Sequence, residues 1–140
     1  MKKLAFTILS IVFICASSFA QTRSAIVQKA FKKKFPSAVD VVWTKGASNN
    51  WEAEFRVGQV NSTAYFKADG TWLETESEIR VLDLPQMVSD SINAKYPDWV
   101  ITEAYKIETA ENGVRYQAAL KKRLGKKGVS YKPDGIAVAN

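Results

Sequence analysis

The chain has 140 residues, with 20 lysines and arginines against 14 aspartates and glutamates, a formal net charge of +6, one cysteine and no histidine. Without histidine there is no imidazole base, no imidazole metal ligand, and no Ser-His-Asp or Cys-His arrangement. No GxGxxG or phosphate-loop pattern occurs either, so neither a nucleotide nor any other cofactor is expected.

The N-terminus reads as an export signal. Lys2 and Lys3 precede an apolar run from Leu4 to Cys15, broken by Thr7 and Ser10, and Ser18-Phe19-Ala20 places small residues at the minus-three and minus-one positions of a cleavage site. This is the layout of a secretory signal peptide, residues 1–20. The run falls short of the roughly 20 apolar residues a membrane span needs. A retained anchor is one alternative. Lipidation at Cys15 is another, and the bulky Ile14 before it argues against that. Cleavage removes the only cysteine, so residues 21–140 must be held by packing without a disulfide. It also removes two lysines and lowers the net charge from +6 to +4. That excess reads as solubility, with weak attraction to anionic envelope surfaces as its functional version. The expected location is periplasmic or secreted, where nucleic acid is not an expected partner.

A helix comes first. Ile26, Val27, Ala30, Phe31 and Phe35 share one face at helical spacing, Lys29, Lys32 and Lys33 the other, with Ser24 or Thr22 as N-cap. Pro36 stops it, because the residue before a proline is pushed out of helical geometry. Strands follow. Val39, Val41 and Trp43 alternate, and Gly46–Asn50 is a polar loop. Trp51, Ala53, Phe55 and Val57 then alternate with Glu52, Glu54 and Arg56, the period of a half-buried strand. Gly58-Gln59 turns the chain into a strand holding Ala64 to Lys67, and Asp69-Gly70 is a hairpin signal. Leu73, Thr75, Ser77 and Ile79 alternate with Trp72, Glu74, Glu76 and Glu78.

A second helix is expected from Asp83-Leu84-Pro85, with Leu84, Met87, Val88, Ile92 and Tyr96 as its apolar stripe and Pro97 as its stop. Strands are expected near Val100–Ile107, Val114–Arg123, Val129–Lys132 and Ile136–Val138, the last so short that the C-terminal edge is the weakest part of the sheet. This order repeats the first. Val27, Phe31, Phe35 and Pro36 match Val88, Ile92, Tyr96 and Pro97 at a constant offset. Trp51–Phe55 matches Tyr116–Leu120, and Phe66–Gly70 matches Tyr131–Gly135, at an offset larger by four. A four-residue insertion near Glu108–Gly113 explains the change. The reading is a tandem α+β protein with repeats at about 22–80 and 82–140. Each is a helix plus four antiparallel strands, and the two join into one sheet of about eight strands with both helices on one face.

The helix ending in Phe35-Pro36, echoed by Tyr96-Pro97, carries a family resemblance together with Val41-x-Trp43, Trp51-Glu-Ala-Glu-Phe55, Phe66-x-x-Asp69-Gly70-x-Trp72 and Leu84-Pro85. The chain resembles the PepSY-like group of secreted bacterial proteins, similar in fold to the β-lactamase inhibitor protein. The resemblance implies a tandem helix–four-strand fold and an exported location. It implies no reaction, and no inhibitory contact residue carries over.

Three surface features are candidates for function. Glu74, Glu76 and Glu78 lie on one face of one strand. A row of this kind does not converge as calcium requires, so it reads as a solvated face or as an acidic stripe for a basic partner. Lys121, Lys122, Arg123, Lys126 and Lys127 crowd a hairpin tip, which reads as protection of a sheet edge or as a site for anionic envelope polymers or lipid headgroups. Tyr65 and Trp72, out of phase with the inward residues, are expected on the face opposite the helices. Tyr65, Trp72, Glu74, Glu76 and Arg56 are therefore the expected partner-binding residues, with no catalytic or metal-binding residues. The expected function is that of an exported, non-enzymatic binding module that inhibits or modulates another protein through its helix-free face. The alternatives are an envelope protein that senses or structurally binds small molecules or anionic polymers, and hydrolysis by a pair of carboxylates.

Overall fold

The computed structural model describes residues 24–138, so the expected signal peptide lies outside the described residues. Helix α1 spans Ala25–Lys34 and is followed by strands β1 (Val39–Lys45), β2 (Trp51–Val57), β3 (Val60–Phe66) and β4 (Trp72–Ile79). Helix α2 spans Gln86–Lys95 and is followed by β5 (Val100–Thr109), β6 (Gly113–Lys122), β7 (Gly125–Tyr131) and β8 (Ala137–Val138). The eight strands form one sheet in sequence order, and every neighbouring pair is antiparallel. The expected α+β architecture is the observed one.

The local signals act as their chemistry requires. The Ser24 side chain caps α1 by accepting from the Ile26 N–H at 3.3 Å, and the Phe35 N–H closes the last turn onto the Phe31 carbonyl at 2.8 Å before Pro36 diverts the chain. At α2, Pro85 is the N-cap and not a first-turn residue, and its carbonyl accepts from Val88 and Ser89. Each helix rests on the glycine of an Asp-Gly turn. A Cβ on Gly70 would lie 2.8 Å from the Ile26 Cγ2, and one on Gly135 would lie 2.6 Å from the Met87 carbonyl oxygen. Both glycines also have positive φ, 87° and 81°, which side chains disfavour.

Two separate cores lie on the helix side. Under α1, Val27 and Phe31 pack on Trp51, Ala53, Phe55, Ala64 and Phe66. Under α2, Val88 and Ile92, with Leu84 ahead of them, pack on Ala104, Ala118, Leu120, Val129 and Tyr131. A polar seam divides them. Ser62 and Ser77 lie opposite each other and share a 2.9 Å hydrogen bond, and Lys106 bridges Glu108 at 2.6 Å.

The inserted residues join the halves. β1 and β2 are linked by a loop with a short 3-10 turn, Ala47–Asn49. The corresponding stretch of the second half runs on as strand, so that β5 and β6 pair from Val100↔Lys121 as far as Thr109↔Gly113. β4 uses this extension directly, pairing Glu74 with Thr109, Thr75 with Glu108 and Glu76 with Ile107.

One expectation about side-chain direction is corrected. Thr63, Tyr65, Glu74, Glu76 and Glu78 point away from the helices, as alternation requires. Trp72 does not. The register shifts between Tyr65↔Glu74 and Phe66↔Trp72, so Leu73 is the extra residue of a β-bulge, and a bulge resets the alternation of the strand beyond it. Trp72 therefore lies on the helix side, packed against the α1 core. Its indole Nε1 donates to the Thr75 Oγ1 at 2.9 Å, and the Lys34 Nζ sits 3.6 Å above the ring.

Candidate binding surface

The helix-free face is built from alternate residues of the middle strands. β2 contributes Glu52, Glu54 and Arg56, and β3 contributes Asn61, Thr63 and Tyr65. β4 contributes the glutamate row, and β5 and β6 contribute Tyr105, Ile107, Arg115 and Gln117. Tyr65 stands in register between Glu52 and Glu74. Burial raises the pKa of its phenol first, and the charges of Glu52, Glu76, Glu74 and Glu54 add to the rise. Glu76 is held above the ordinary carboxylate range by burial and then by repulsion from Glu74, which Arg115 opposes. Negative charge is thus concentrated here beyond what local cations offset, in a chain whose formal net charge is positive.

The cations present are placed at the margins. Arg56 is tied to the Asp40 carboxylate at 2.6 Å and donates to the Gly58 carbonyl at 2.8 Å. Asp40 reaches it from an irregularity in β1, where its φ is 54°. Arg115, on the strand lengthened by the insertion, lies 3.8 Å from Glu74. Beside Arg56 is a shallow depression of about 340 Å³, walled by Asp40, Glu54, Arg56, Asn61, Glu76, Glu78 and Tyr105.

The glutamates do not converge on one point. Glu74 faces Arg115, Glu78 accepts from the Asn61 amide at 3.2 Å, and Glu103 accepts from the Tyr105 hydroxyl at 3.0 Å. Among the described residues no group of three or more such ligands is placed to hold a metal ion. The surface suits a partner that presents several separated cations, with Tyr65 and Tyr105 as flat apolar platforms between the charges. Ile107 is 2% exposed on this face and belongs to neither core. It lies in register between Glu76 and Arg115, and gives the surface a closed apolar floor.

Of the residues expected from the sequence, the structure brings Tyr65, Glu74 and Glu76 together, sets Arg56 at the rim and removes Trp72. Sequence reasoning missed Asp40, Asn61, Tyr105, Ile107 and Arg115. The available signal was the insertion, because Ile107 and Arg115 lie in the lengthened hairpin that it creates.

An antiparallel sheet with both helices on one face and an acidic surface on the other is an α+β fold with one covered and one open sheet face. The chain belongs to the PepSY-like family, whose model, described as "Putative beta-lactamase-inhibitor-like, PepSY-like", matches residues 49–135. Solved structures share the fold. A DUF2874 family protein from Bacteroides ovatus superposes with a TM-score of 0.77 at 22% identity, over 84% of this chain and 86% of that one. A BLIP-like protein from Bacteroides fragilis gives 0.76 at 21% identity, over 84% of each chain. A chain from Bacteroides eggerthii named among "putative periplasmic proteins" gives 0.77 at 19% identity, over 84% and 87%. No curated protein matches the chain. The family's description is inhibitor-like and not catalytic. Among the described residues no helix is long and apolar enough to cross a membrane.

Proposed function

We propose that this chain is an exported, non-enzymatic binding module that inhibits or modulates another periplasmic or secreted protein by taking a basic segment of it onto the helix-free face. The observation that carries this reading is the cluster of Glu52, Glu54, Glu74 and Glu76 around Tyr65, which stands in register between Glu52 and Glu74. A partner's cations relieve that repulsion, so charge complementarity sets both the encounter rate and the choice of partner. The signal-like N-terminus and the name of the Bacteroides eggerthii relative support the location.

The test is calorimetry with a lysine-rich peptide, followed by crosslinking in envelope extract. Binding that weakens with salt is expected. Each exposed charge pair is worth up to about 1 kcal/mol, so Glu74→Gln/Glu76→Gln is expected to lower affinity about three- to tenfold, and Tyr65→Ala further. Equal affinity of wild type and all three substitutions for every recovered partner would remove this face from the function.

A further inference from the structure

The two halves close their second hairpins differently. β2 and β3 are joined by Gly58-Gln59, and β6 and β7 by Arg123-Leu124, at equivalent places. The first residue of each turn has positive φ, 61° at Gly58 and 51° at Arg123. Glycine takes that geometry freely and arginine does not. The second turn thus carries backbone strain that the first avoids. The strained residue is a cation, and it stands beside Leu124, whose relative exposure is 102%. Strain kept at a surface tip points to a use for the side chains it presents.

The surroundings show which use. Five cations, Lys121, Lys122, Arg123, Lys126 and Lys127, flank the leucine. Lys122 is engaged by Asp98 at 2.8 Å, and Lys127 lies 5.1 Å from the Tyr96 ring centroid. Lys121, Arg123 and Lys126 make no ion pair with any described residue. Glu103 shares a depression with Lys121 and Lys126, and its carboxylate accepts from Tyr105. Beneath the turn, the Trp99 ring lies 3.3 Å from where a Cβ on Gly125 would stand. Val100, opposite Lys121, is 65% exposed.

We propose that the β6–β7 hairpin is a docking finger for an anionic lipid bilayer. Leu124 enters the acyl boundary, Trp99 and Val100 sit at headgroup level, and the unpaired cations meet lipid phosphates. An apolar tip inside a cationic collar matches both terms of interfacial binding, buried apolar area and attraction to anionic lipid. A soluble polyanion would use the cations and gain nothing from the leucine. This surface is carried by the β6–β7 turn, whereas the acidic cluster is carried by β2, β3 and β4, and the proposal does not depend on that cluster's role.

The test is co-sedimentation of the chain lacking residues 1–20, which retains every described element, with phosphatidylcholine vesicles with and without phosphatidylglycerol. Far-UV circular dichroism confirms its fold. Binding is expected only to the anionic vesicles, and is expected to fall with salt. Leu124→Gln is expected to weaken it about tenfold, from the lost burial of one leucine. Arg123→Gly adds about fivefold, one cation near the surface. Heparin binding is expected to ignore Leu124→Gln. Arg123→Gly relieves the positive φ, so the double variant is expected to melt no lower than wild type, which separates lost docking from lost folding. Glu74→Gln/Glu76→Gln is expected to leave vesicle binding intact. Absence of binding to anionic vesicles, equal binding to neutral ones, or vesicle binding indifferent to Leu124→Gln overturns the proposal. The last outcome reassigns the hairpin to soluble polyanions or an acidic protein.

Discussion

Around α1 the core is built mostly of rings, and around α2 mostly of aliphatic chains, with Tyr131 as a buried ring among them. Phe31 meets Phe55 edge-on at 5.0 Å and Trp43 at 5.1 Å, while Phe35 meets Phe55 at 4.6 Å and Trp43 meets Trp51 at 6.5 Å. Under α2 the equivalent space holds Val88, Ile92, Leu120 and Val129, and the ring pair there, Tyr96 with Trp99 at 6.3 Å, stands at the edge. Tilted ring pairs add about 0.5–1.5 kcal/mol each beyond their buried area. The second half also ends on a strand of two residues, Ala137–Val138. One element order thus supports two kinds of core. The α1 half is the better fastened, and the α2 half carries the long hairpin, the strained turn and the exposed leucine.

The sharpest way to break the comparison is to empty each core. Phe66→Ala is expected to cost about 4 kcal/mol and Leu120→Ala about 3 kcal/mol, the range for buried large-to-small changes. Urea unfolding measures both. A larger loss at Leu120 would reverse the ranking of the halves. The next test is the helix-docking glycines. Gly135→Ala is expected to cost about 3 kcal/mol, because its methyl would strike the Met87 backbone oxygen, which cannot move alone. Gly70→Ala is expected to cost about 1.5 kcal/mol, since the nearest atom, at 2.8 Å, is a side-chain methyl of Ile26 and the helix backbone is farther off at 3.3 Å. Equal melting temperatures for the two variants would show that α2 yields as easily as a side chain.

Exchanging the turns sharpens the contrast further. Arg123→Gly is expected to stabilise by about 1 kcal/mol and Gly58→Arg to destabilise by about as much. Lys34→Ala, which removes the cation 3.6 Å above Trp72, is expected to cost about 0.5–1 kcal/mol, more than Lys95→Ala in the α2 half, whose Nζ stands 5.8 Å from the Tyr96 ring centroid. The smallest effect is the pH response of the acidic face. Because the folded pKa of Glu76 is raised, the folded state binds its proton more tightly than the unfolded state does. Glu76 therefore lowers stability as pH rises through the window above the ordinary carboxylate pKa, and this loss is absent below it. Glu76→Gln is expected to flatten that slope in melts between acid and neutral pH, and an unchanged slope would place the titration elsewhere.

Much of this molecule was legible one element at a time. The Phe-Pro and Tyr-Pro stops, the Asp-Gly turns and the alternation through Trp51–Val57 all act within a few residues, so the strings of side chains reported them faithfully. The same locality misled at Trp72. Alternation carried backwards from Glu74 puts Trp72 on the open face, and only pairing with Phe66 across a bulge turns it under α1. Arg115 and Ile107 were invisible as site residues for a related reason. Their positions follow from how β5 and β6 align with β4, which no single strand records.

The two helices, the repeated order of strands and the acidic row can be read from the order of residues, because helical and strand periods are local properties of the backbone. Which side chains share the helix-free face emerges only when the strands pair. Register between strands, one bulge and one lengthened hairpin select the neighbours there, and those are choices of packing between distant segments.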